Sequence, residues 1–269
     1  MPLAKIGTTP TEEPVITIHP SADPNIPFTL VWEENFDGDT LDMDIWNFEL
    51  GDGCDLGICG WGNQELQRYT DTNHSLSDGI LTINIQKDNF YTSTRITTKG
   101  KKEFQYGKVE SRMKLPQGDG LWPAFWMLGS NIDTVGWPGC GEIDILESVG
   151  YEMDDATGKG IAHASAHSGG RYFKLGNQPT STVEVLNMNN EFHTYAVEWT
   201  PESLKVLVDD KHYFTYSDTN SEMTWPFSKP QNIILNLTIG GGWGGYYGID
   251  ENTNSQKMLI DYVRVYELQ

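Results

Sequence analysis

Polar and apolar residues alternate along most of this chain with a period of two. In residues 81–86, 108–115 and 262–266, one set of alternating positions is mainly Leu, Ile, Val or Met, and the other is polar or Tyr. This alternation predicts strands with one buried face. Residues 204–208 repeat the pattern and run into two aspartates, which predicts a hairpin turn. Closely spaced strands bounded by Gly, Asp and Asn indicate an all-β sandwich without long helices.

The first 27 residues differ in composition from the rest. Six of the 13 prolines lie in residues 1–27, among Thr, Glu and Ser. Because proline lacks a backbone N–H and favours extended, solvated chain, this segment predicts a linker or tail. We therefore expect residues 28–269 to form a single β-sandwich domain. Similar segments join anchors to catalytic modules in exported proteins, which is an indirect sign of export.

The chain is strongly acidic, with 18 Lys and Arg against 38 Asp and Glu and a formal net charge of −20. Nucleic acid is excluded as a partner because its binding relies on neutralising phosphates with basic residues. Repulsion also argues against anionic membranes and sulfated polymers. Aromatic residues make up 12% of the chain, including nine Trp. A neutral partner bound on aromatic surfaces fits this composition.

The chain has three cysteines, too few for a disulfide scaffold. Cys54 and Cys59 close a short loop, and Cys140 stands alone. The pair could form a local disulfide in an oxidising compartment, or a partial metal site if further ligands were near. We expect Cys140 to be a small buried residue rather than a nucleophile.

Neither a membrane span nor a signal peptide is recognisable. No stretch approaches the ~20 apolar residues that a spanning helix needs. Residues 1–5 lack the charged and apolar regions of a signal peptide. We therefore expect no membrane insertion, and either a cytosolic protein or one whose export signal lies outside this sequence.

The segment with most chemical information is residues 141–148, Gly-Glu-Ile-Asp-Ile-Leu-Glu-Ser. On a strand, Glu142 and Asp144 share one face, but simple alternation would turn Glu147 to the other. A β-bulge near residues 145–146 would add one residue and return Glu147 to the same face. Close carboxylates repel each other, which raises the pKa of at least one of them. We call Glu142, Asp144 and Glu147 the acidic triplet.

Such a triplet could be a solvated strand edge or a cation site, but its neighbours favour a sugar cleft. Aromatic side chains bracket it: Trp122, Trp126 and Trp137 precede it, and His163 and His167 follow it. Sugars present apolar C–H faces that pack on aromatic rings. Glycoside hydrolysis needs two carboxyl groups beside the scissile bond, one ionised and one protonated.

The triplet resembles the ExDxxE active-site signature of glycoside hydrolase family 16, in its bulged, laminarinase-like form. Further segments resemble the family in the expected order, over nearly all of residues 28–269. They are residues 30–36, 59–66, 91–96, 120–128, 225–227, 234–237 and 260–266. The resemblance implies a concanavalin-like jelly-roll β-sandwich of two antiparallel sheets with an open concave cleft. It also implies a retaining double displacement without a catalytic cofactor.

The resemblance implies a role for each member of the triplet. Glu142 would be the nucleophile that forms a glycosyl-enzyme. Glu147 would be the acid/base that protonates the leaving oxygen and then activates water. Asp144 would lie between them and orient Glu142. Retention requires the two working carboxyl groups to lie ~5–5.5 Å apart.

The resemblance also implies that four tryptophans contact sugar. Trp122 and Trp126 are four residues apart, so both can share one strand face and stack on sugar, although one of them could belong to the core. Trp137 would line the cleavage subsite. Trp243, in a Gly-rich run, would add a wall to the cleft.

Five polar residues complete the implied substrate site. Asn63, Glu65 and Arg95 resemble donor-side residues that hydrogen-bond sugar hydroxyls, with a surface salt bridge as the alternative for Arg95. His163 and His167 are four residues apart and can share a strand face. At least one is expected to contact sugar near the cleavage point. Zinc binding is the less favoured alternative, because a third ligand is not apparent.

Many family members hold a structural calcium ion on the convex side. Asp261 resembles the aspartate ligand, and Glu34 and Gly79 stand where backbone carbonyls would contribute. The first strand departs from the family pattern, reading Glu-Asn-Phe where Asp-Glu-Phe is common. Residues 151–160 and 167–172 also depart from it, and both are expected to border the acceptor side of the cleft.

These features predict an endo-acting β-1,3-glucanase that cleaves laminarin-type glucan, a neutral polysaccharide. Cleavage of mixed β-1,3/1,4-glucan is the close alternative, and agarase or carrageenase activity fits the charge less well. A non-catalytic glucan-binding module is less favoured, because such relatives lack one or both glutamates. A structural adhesive sandwich would not explain Trp clustered beside carboxylates. We expect an extracellular or cell-surface monomer.

Overall fold

The structure is a computed structural model that describes residues 28–154, 156–250, 253 and 256–268. The predicted tail, residues 1–27, lies outside the described residues. The described strands, in chain order, are β1 Phe28–Glu34, β2 Asn47–Phe48, β3 Gln67–Tyr69, β4 His74–Ser77, β5 Ile80–Asn84, β6 Gln86–Lys87, β7 Tyr91–Ser93, β8 Arg95–Thr97, β9 Glu103–Phe104, β10 Gly107–Lys114, β11 Leu121–Gly129, β12 Glu142–Glu147, β13 Gly160–His167, β14 Thr180–Val185, β15 His193–Trp199, β16 Ser203–Val208, β17 Lys211–Ser217, β18 Gln231–Ile239 and β19 Lys257–Leu268.

Helical structure in the described part of the chain is limited to single turns, as the sequence predicts. One α-helix, α1, spans Ile132–Val135. The 3-10 turns are Cys54–Leu56, Cys59–Gly62, Gly150–Glu152 and Phe173–Leu175. Among the residues described, no helix has the length and apolar character needed to span a bilayer.

Two eight-stranded sheets contain most of the strands. The first has the order β17-β16-β15-β10-β19-β5-β4, with β1 also paired to β19. The second has the order β14-β13-β12-β11-β18-β8-β2, with β9 also paired to β18. Every described pairing within these two sheets is antiparallel. The predicted all-β architecture is confirmed, and the acidic triplet lies on β12, inside the second sheet.

The core is built from the alternating apolar positions. Leu81, Ile83 and Ile85 are completely buried, as their period of two predicts. Phe125 and Ile143 from the second sheet belong to the same buried cluster. Removing these side chains from water is the main favourable contribution to folding. This packing holds β11 and β12 in place beneath the triplet.

The predicted hairpin turn joins β16 and β17. Asp209 and Asp210 have φ angles of 48° and 58°. Two successive residues with positive φ are the signature of a type I′ turn, whose twist matches that of paired strands. The Asp209 carboxylate also accepts a hydrogen bond from the backbone N–H of Thr194 at 2.9 Å.

The cysteines behave as two separate cases. Cys54 and Cys59 form a disulfide, which selects the first of the two alternatives for this pair. Cys140 is free and fully buried. Burial raises the pKa of its thiol to about 12, so the reactive thiolate does not form near neutral pH. Cys140 is therefore a packing residue, as predicted.

Candidate active site

The strand that carries the triplet contains the predicted bulge. Against β13, Asp144 lies opposite Ser165 and Glu147 lies opposite His163. Three steps along β12 therefore face two steps along β13, so β12 holds one extra residue. The pairing with β11 shifts at the same place. An added residue restores the parity that simple alternation would break.

The bulge also allows the apolar side chains of β12 to be buried. Ile143, Ile145 and Leu146 are all completely buried, although two of them are adjacent in sequence. Regular alternation would send one of that adjacent pair into the cleft. The sequence therefore folds locally with every apolar side chain in the core and the triplet on the opposite face.

Two tryptophans hold the outer carboxylates of the triplet. The indole N–H of Trp137 donates to Oε2 of Glu142 at 3.0 Å. The indole N–H of Trp122 donates to Oε1 of Glu147 at 2.9 Å. An N–H donor to a carboxylate stabilises its ionised form and fixes its orientation. Each glutamate thus keeps one oxygen anchored and the other available.

Burial and mutual repulsion shift the triplet toward its protonated forms. Burial, then the Asp144 charge, raises the pKa of Glu147 to about 8. The same two causes, in the same order, raise the pKa of Glu142, and burial raises that of Asp144. Ionising any one of the three disfavours ionisation of the other two. The cluster therefore retains a proton at neutral pH, as a general acid requires.

His167 is the histidine whose ring lies against the triplet. Its Nε2 lies 3.3 Å from Oδ2 of Asp144 and 3.8 Å from Oε1 of Glu142. Within the described ranges, Glu142, Asp144 and His167 are the one group of three side chains with ligand atoms close enough to hold a metal ion. His163 is not part of it, since its Nε2 bonds to Glu152 at 2.5 Å. The less favoured alternative, a zinc site on His163 and His167, therefore does not assemble among the described residues.

The residues predicted for the donor side, Asn63, Glu65 and Arg95, belong to a buried polar cluster. We call it the donor-side cluster. Arg95 is only 8% exposed, and its guanidinium lies 4.6 Å from the ring centre of Trp61 and 4.9 Å from that of Trp126. It also makes an ion pair with Glu49. The salt bridge considered for Arg95 therefore exists, but it is buried rather than on the surface. Cation–π contacts from both rings hold the guanidinium in place.

Glu65 is the acceptor at the centre of this cluster. Its carboxylate accepts hydrogen bonds from Gln67 at 2.6 Å, Asn63 at 3.2 Å and the Tyr69 hydroxyl at 3.2 Å. Burial raises the pKa of Glu65, and the Arg95 charge opposes that shift. The structure thus brings Asn63, Glu65 and Arg95 together, and their contact with sugar stays a prediction.

Asn236 and Thr238 are polar residues of the same cluster that the sequence reasoning missed. Asn236 accepts a hydrogen bond from the Trp126 indole at 2.7 Å and donates to Thr238 at 3.1 Å. Both lie on β18, which is buried along its whole length. Two polar residues at alternate positions in the otherwise apolar residues 233–239 are a signal that could have identified them.

Trp243 stands at the Glu147 end of the triplet. Its ring makes edge contacts with Trp122 at 5.3 Å and with His163 at 4.8 Å between ring centres. Trp122, Trp243 and His163 therefore form one aromatic cluster beside Glu147, and the role of Trp243 as a cleft wall stays a prediction. Edge-to-face geometry is favourable for aromatic pairs.

Trp137 anchors a second aromatic cluster, at the Glu142 end. Its ring lies 5.5 Å from Tyr172 and 5.8 Å from Phe173, measured between ring centres, and 6.2 Å from His167. Tyr172 and Phe173 were not predicted as cleft residues. Tyr172 ends the segment 167–172 that departs from the family pattern, and Phe173 follows it directly. That departure was the available signal.

The three candidate calcium residues come together at one place. Strand β5 pairs with the part of β19 that precedes Asp261, and β1 pairs with the part that follows it. Gly79, just before β5, and Glu34, at the end of β1, therefore lie beside Asp261. The Glu34 carboxylate is already engaged, since it accepts hydrogen bonds from the Trp46 indole N–H at 3.3 Å and from the backbone N–H of Phe36 at 2.8 Å. The Asp261 carboxylate makes an ion pair with Arg112. The oxygens suit calcium, provided that the ion replaces Arg112 as the partner of Asp261.

Comparison with known proteins gives consistent matches. "Glycosyl hydrolases family 16" matches residues 62–264. A beta-glucanase of Rhodothermus marinus is 39% identical over 254 residues, which cover 88% of this chain and 84% of that protein. The laminarinase of Flavobacterium sp. UMI-01 has 48% sequence identity and a TM-score of 0.82, covering 89% of this chain and 100% of that one.

A second solved structure is the non-specific endo-β-1,3(4)-glucanase SCLam, with 33% identity and a TM-score of 0.83. The match covers 94% of this chain and 97% of that one. Both structures share the two-sheet architecture, so the predicted jelly-roll fold is confirmed. The bulged carboxylate strand, the family match and these likenesses agree, and the chain belongs to the glycosyl hydrolases of family 16.

Proposed function

We propose that this chain is an endo-acting, retaining glycoside hydrolase that cleaves β-1,3-glucosidic bonds in laminarin-type glucan. The observation that carries the proposal is the bulged strand β12, which presents Glu142, Asp144 and Glu147 on one face with an indole N–H on each outer carboxylate. A double displacement requires two carboxyl groups beside the scissile bond, and this strand presents them on one face.

In the first step, ionised Glu142 attacks the anomeric carbon. The Trp137 N–H and the nearby His167 favour the charged form of Glu142 against its burial. As the bond from the sugar to the leaving oxygen breaks, Glu147 donates its proton to that oxygen. The products are a covalent glycosyl-enzyme at Glu142 and a shortened glucan with a free hydroxyl.

In the second step, the now ionised Glu147 removes a proton from water. The resulting nucleophile attacks the anomeric carbon and releases Glu142. Two inversions give net retention. Asp144, with His167 Nε2 at 3.3 Å, lies between the two glutamates and sets the charge that each of them experiences.

The preference for β-1,3 linkage is supported by the name of the laminarinase that is 48% identical. The less similar SCLam is named a non-specific β-1,3(4)-glucanase, and this supports mixed-linkage cleavage as the second candidate. Product analysis on linear β-1,3-glucan and on mixed-linkage glucan, side by side, tests both. Faster release of short oligosaccharides from the first is expected. Faster release from mixed-linkage glucan would instead support a mixed-linkage β-1,3/1,4-glucanase.

A purely glucan-binding role is the remaining class. The chain keeps both glutamates in hydrogen-bonded, oriented positions, which a binding module does not need. Binding of either glucan without any cleavage would support that class and contradict hydrolysis.

We also propose an extracellular or cell-surface location, a monomeric state and a structural calcium ion held by Asp261 and the carbonyls of Glu34 and Gly79. The Cys54–Cys59 disulfide supports export, because such bonds persist in oxidising compartments. The net charge of −20 supports a monomer through mutual repulsion. Size-exclusion chromatography tests the monomer, and fractionation of the producing cells tests the location.

A further inference from the structure

Two adjacent tyrosines are exceptionally exposed for large aromatic residues. Tyr246 is 70% and Tyr247 is 71% exposed, the highest values among the large hydrophobic side chains of the described residues. Their rings are in edge contact with each other at 4.9 Å. Exposed aromatic surface of this size indicates a binding role when it adjoins a site.

The pair is connected to the proposed acid through a short series of contacts. Tyr247 makes an edge contact with Tyr151 at 5.0 Å. Glu152, the next residue after Tyr151, bonds to His163, whose ring contacts that of Trp243 at 4.8 Å. Trp243 then contacts Trp122, whose indole N–H bonds to Glu147. We call Tyr151, Tyr246 and Tyr247 the tyrosine ridge.

The ridge lies toward β13, on the side of β12 that is opposite Arg95 and Asn236. Arg95 is on β8 and Asn236 is on β18, to one side of β12 in the sheet order, and β13 is on the other side. Tyr151 belongs to the turn that follows β12, and its neighbour Glu152 bonds to His163 on β13. The loop after β18 also reaches β13, through the contact of Trp243 with His163.

The loop that carries the ridge is held in a defined shape. Backbone N–H groups of Gly240 and Gly242 donate to Gly120 at 2.7 Å and to Asn63 at 2.8 Å. A Cβ at Gly244 would lie 3.0 Å from Cβ of Trp122, so only glycine allows this approach. A fixed loop places the tyrosines without a large ordering cost on binding.

We propose that the tyrosine ridge is an acceptor-side subsite that binds the leaving segment of the glucan. This inference rests on the proposed function and deepens it. Tyrosine rings offer flat apolar faces to sugar C–H groups, and their hydroxyls bond to sugar hydroxyls, so a neutral polysaccharide fits this surface.

The test measures bond-cleavage frequencies on a linear β-1,3-linked glucose hexamer labelled at its reducing end. The Tyr246→Ala/Tyr247→Ala double variant is expected to shift cleavage toward the reducing end, because fewer leaving-segment sugars are held. Its kcat/KM on the hexamer should fall roughly 10-fold, in the range of aromatic stacking contributions. Turnover of a short substrate with a non-sugar leaving group should stay within about two-fold of the original protein, since that group cannot reach the ridge.

Two further variants complete the test. Tyr246→Phe/Tyr247→Phe keeps the rings and should retain the original cleavage pattern. Phe90→Ala removes an aromatic ring that is 51% exposed outside the cleft, in the turn between β6 and β7, and should change nothing. Circular dichroism of each variant verifies the fold.

An unchanged pattern in the alanine variant, or a shift toward the non-reducing end, would overturn the subsite. The unsubstituted protein separates this result from failure of the proposed function. If it cleaves the hexamer while the alanine variant behaves identically, only the subsite is refuted. If it cleaves nothing, the hydrolytic function is refuted and the subsite with it.

Discussion

The indole nitrogen of Trp122 lies 2.9 Å from Oε1 of Glu147, so a tryptophan that we expect to contact sugar also orients the carboxyl group that we propose as the acid/base. The hydrogen bond favours the carboxylate, whereas burial and the Asp144 charge favour the protonated form. Burial prevails, and the pKa of Glu147 is raised to about 8. Glu147 is therefore protonated at neutral pH. After it has given up its proton, the carboxylate still accepts the hydrogen bond from the Trp122 indole N–H.

Replacing Trp122 with Phe should move the alkaline limb of the kcat/KM profile to higher pH. The lost N–H stabilised ionised Glu147, so its removal raises the pKa of the acid further above about 8. Initial rates across pH 5–10 measure the shift. Trp126→Phe is the matched control, since its indole bonds to Asn236 rather than to a carboxylate. An equal shift in both variants would contradict the role of Trp122.

Substituting Glu142 by Gln should abolish turnover while oligosaccharide binding survives. The amide cannot form the glycosyl-enzyme, but it nearly preserves shape and still accepts from the Trp137 indole. Hydrolysis assays and calorimetric titration with a β-1,3-glucan oligosaccharide measure the two properties. Retained turnover would remove Glu142 as the nucleophile.

Substituting Glu147 by Gln should affect substrates unequally. A polysaccharide needs protonation of its leaving oxygen, so its turnover should fall by about 10²–10⁴-fold. A substrate with an acidic aryl leaving group needs little protonation, and its first step should persist. Burst kinetics with such a substrate measure that step. Equal losses for both leaving groups would argue against Glu147 as the acid.

Calcium should raise the thermal midpoint of the protein, and a chelator should lower it. At 100 times the dissociation constant, an ion that binds only the folded state adds about 2.7 kcal/mol, or about 5–10 °C for a domain of this size. Asp261→Asn should remove most of the effect. Asp133→Asn, an exposed carboxylate paired with Lys99, is the control that should keep it. A midpoint independent of calcium in the unsubstituted protein would refute the site.

The strand arrangement and the bulge were predictable because they follow from local rules. Ile145 and Leu146 both required burial while Glu147 belonged with Asp144, and only an inserted residue satisfies all of these positions. The sequence did not decide between a disulfide and a metal site for Cys54 and Cys59, because a metal site would need further ligands from residues distant in sequence.

The donor-side cluster and the tyrosine ridge were less accessible from sequence. The bond from Trp126 to Asn236 depends on the register between β11 and β18, which places residues 110 positions apart side by side. Similarly, Tyr247 meets Tyr151 only because the loop after β18 reaches the turn after β12. Long-range pairing of this kind is set by the packed core rather than by local pattern.

The central claim is a double displacement by Glu142 and Glu147, and the anomeric form of the first products tests it most directly. Proton NMR at an early time point, before mutarotation, reads the configuration of the new reducing end. A double displacement yields the β-anomer first, and the α-anomer forms later by mutarotation. The α-anomer as the initial product would contradict the double displacement, because a single displacement inverts configuration.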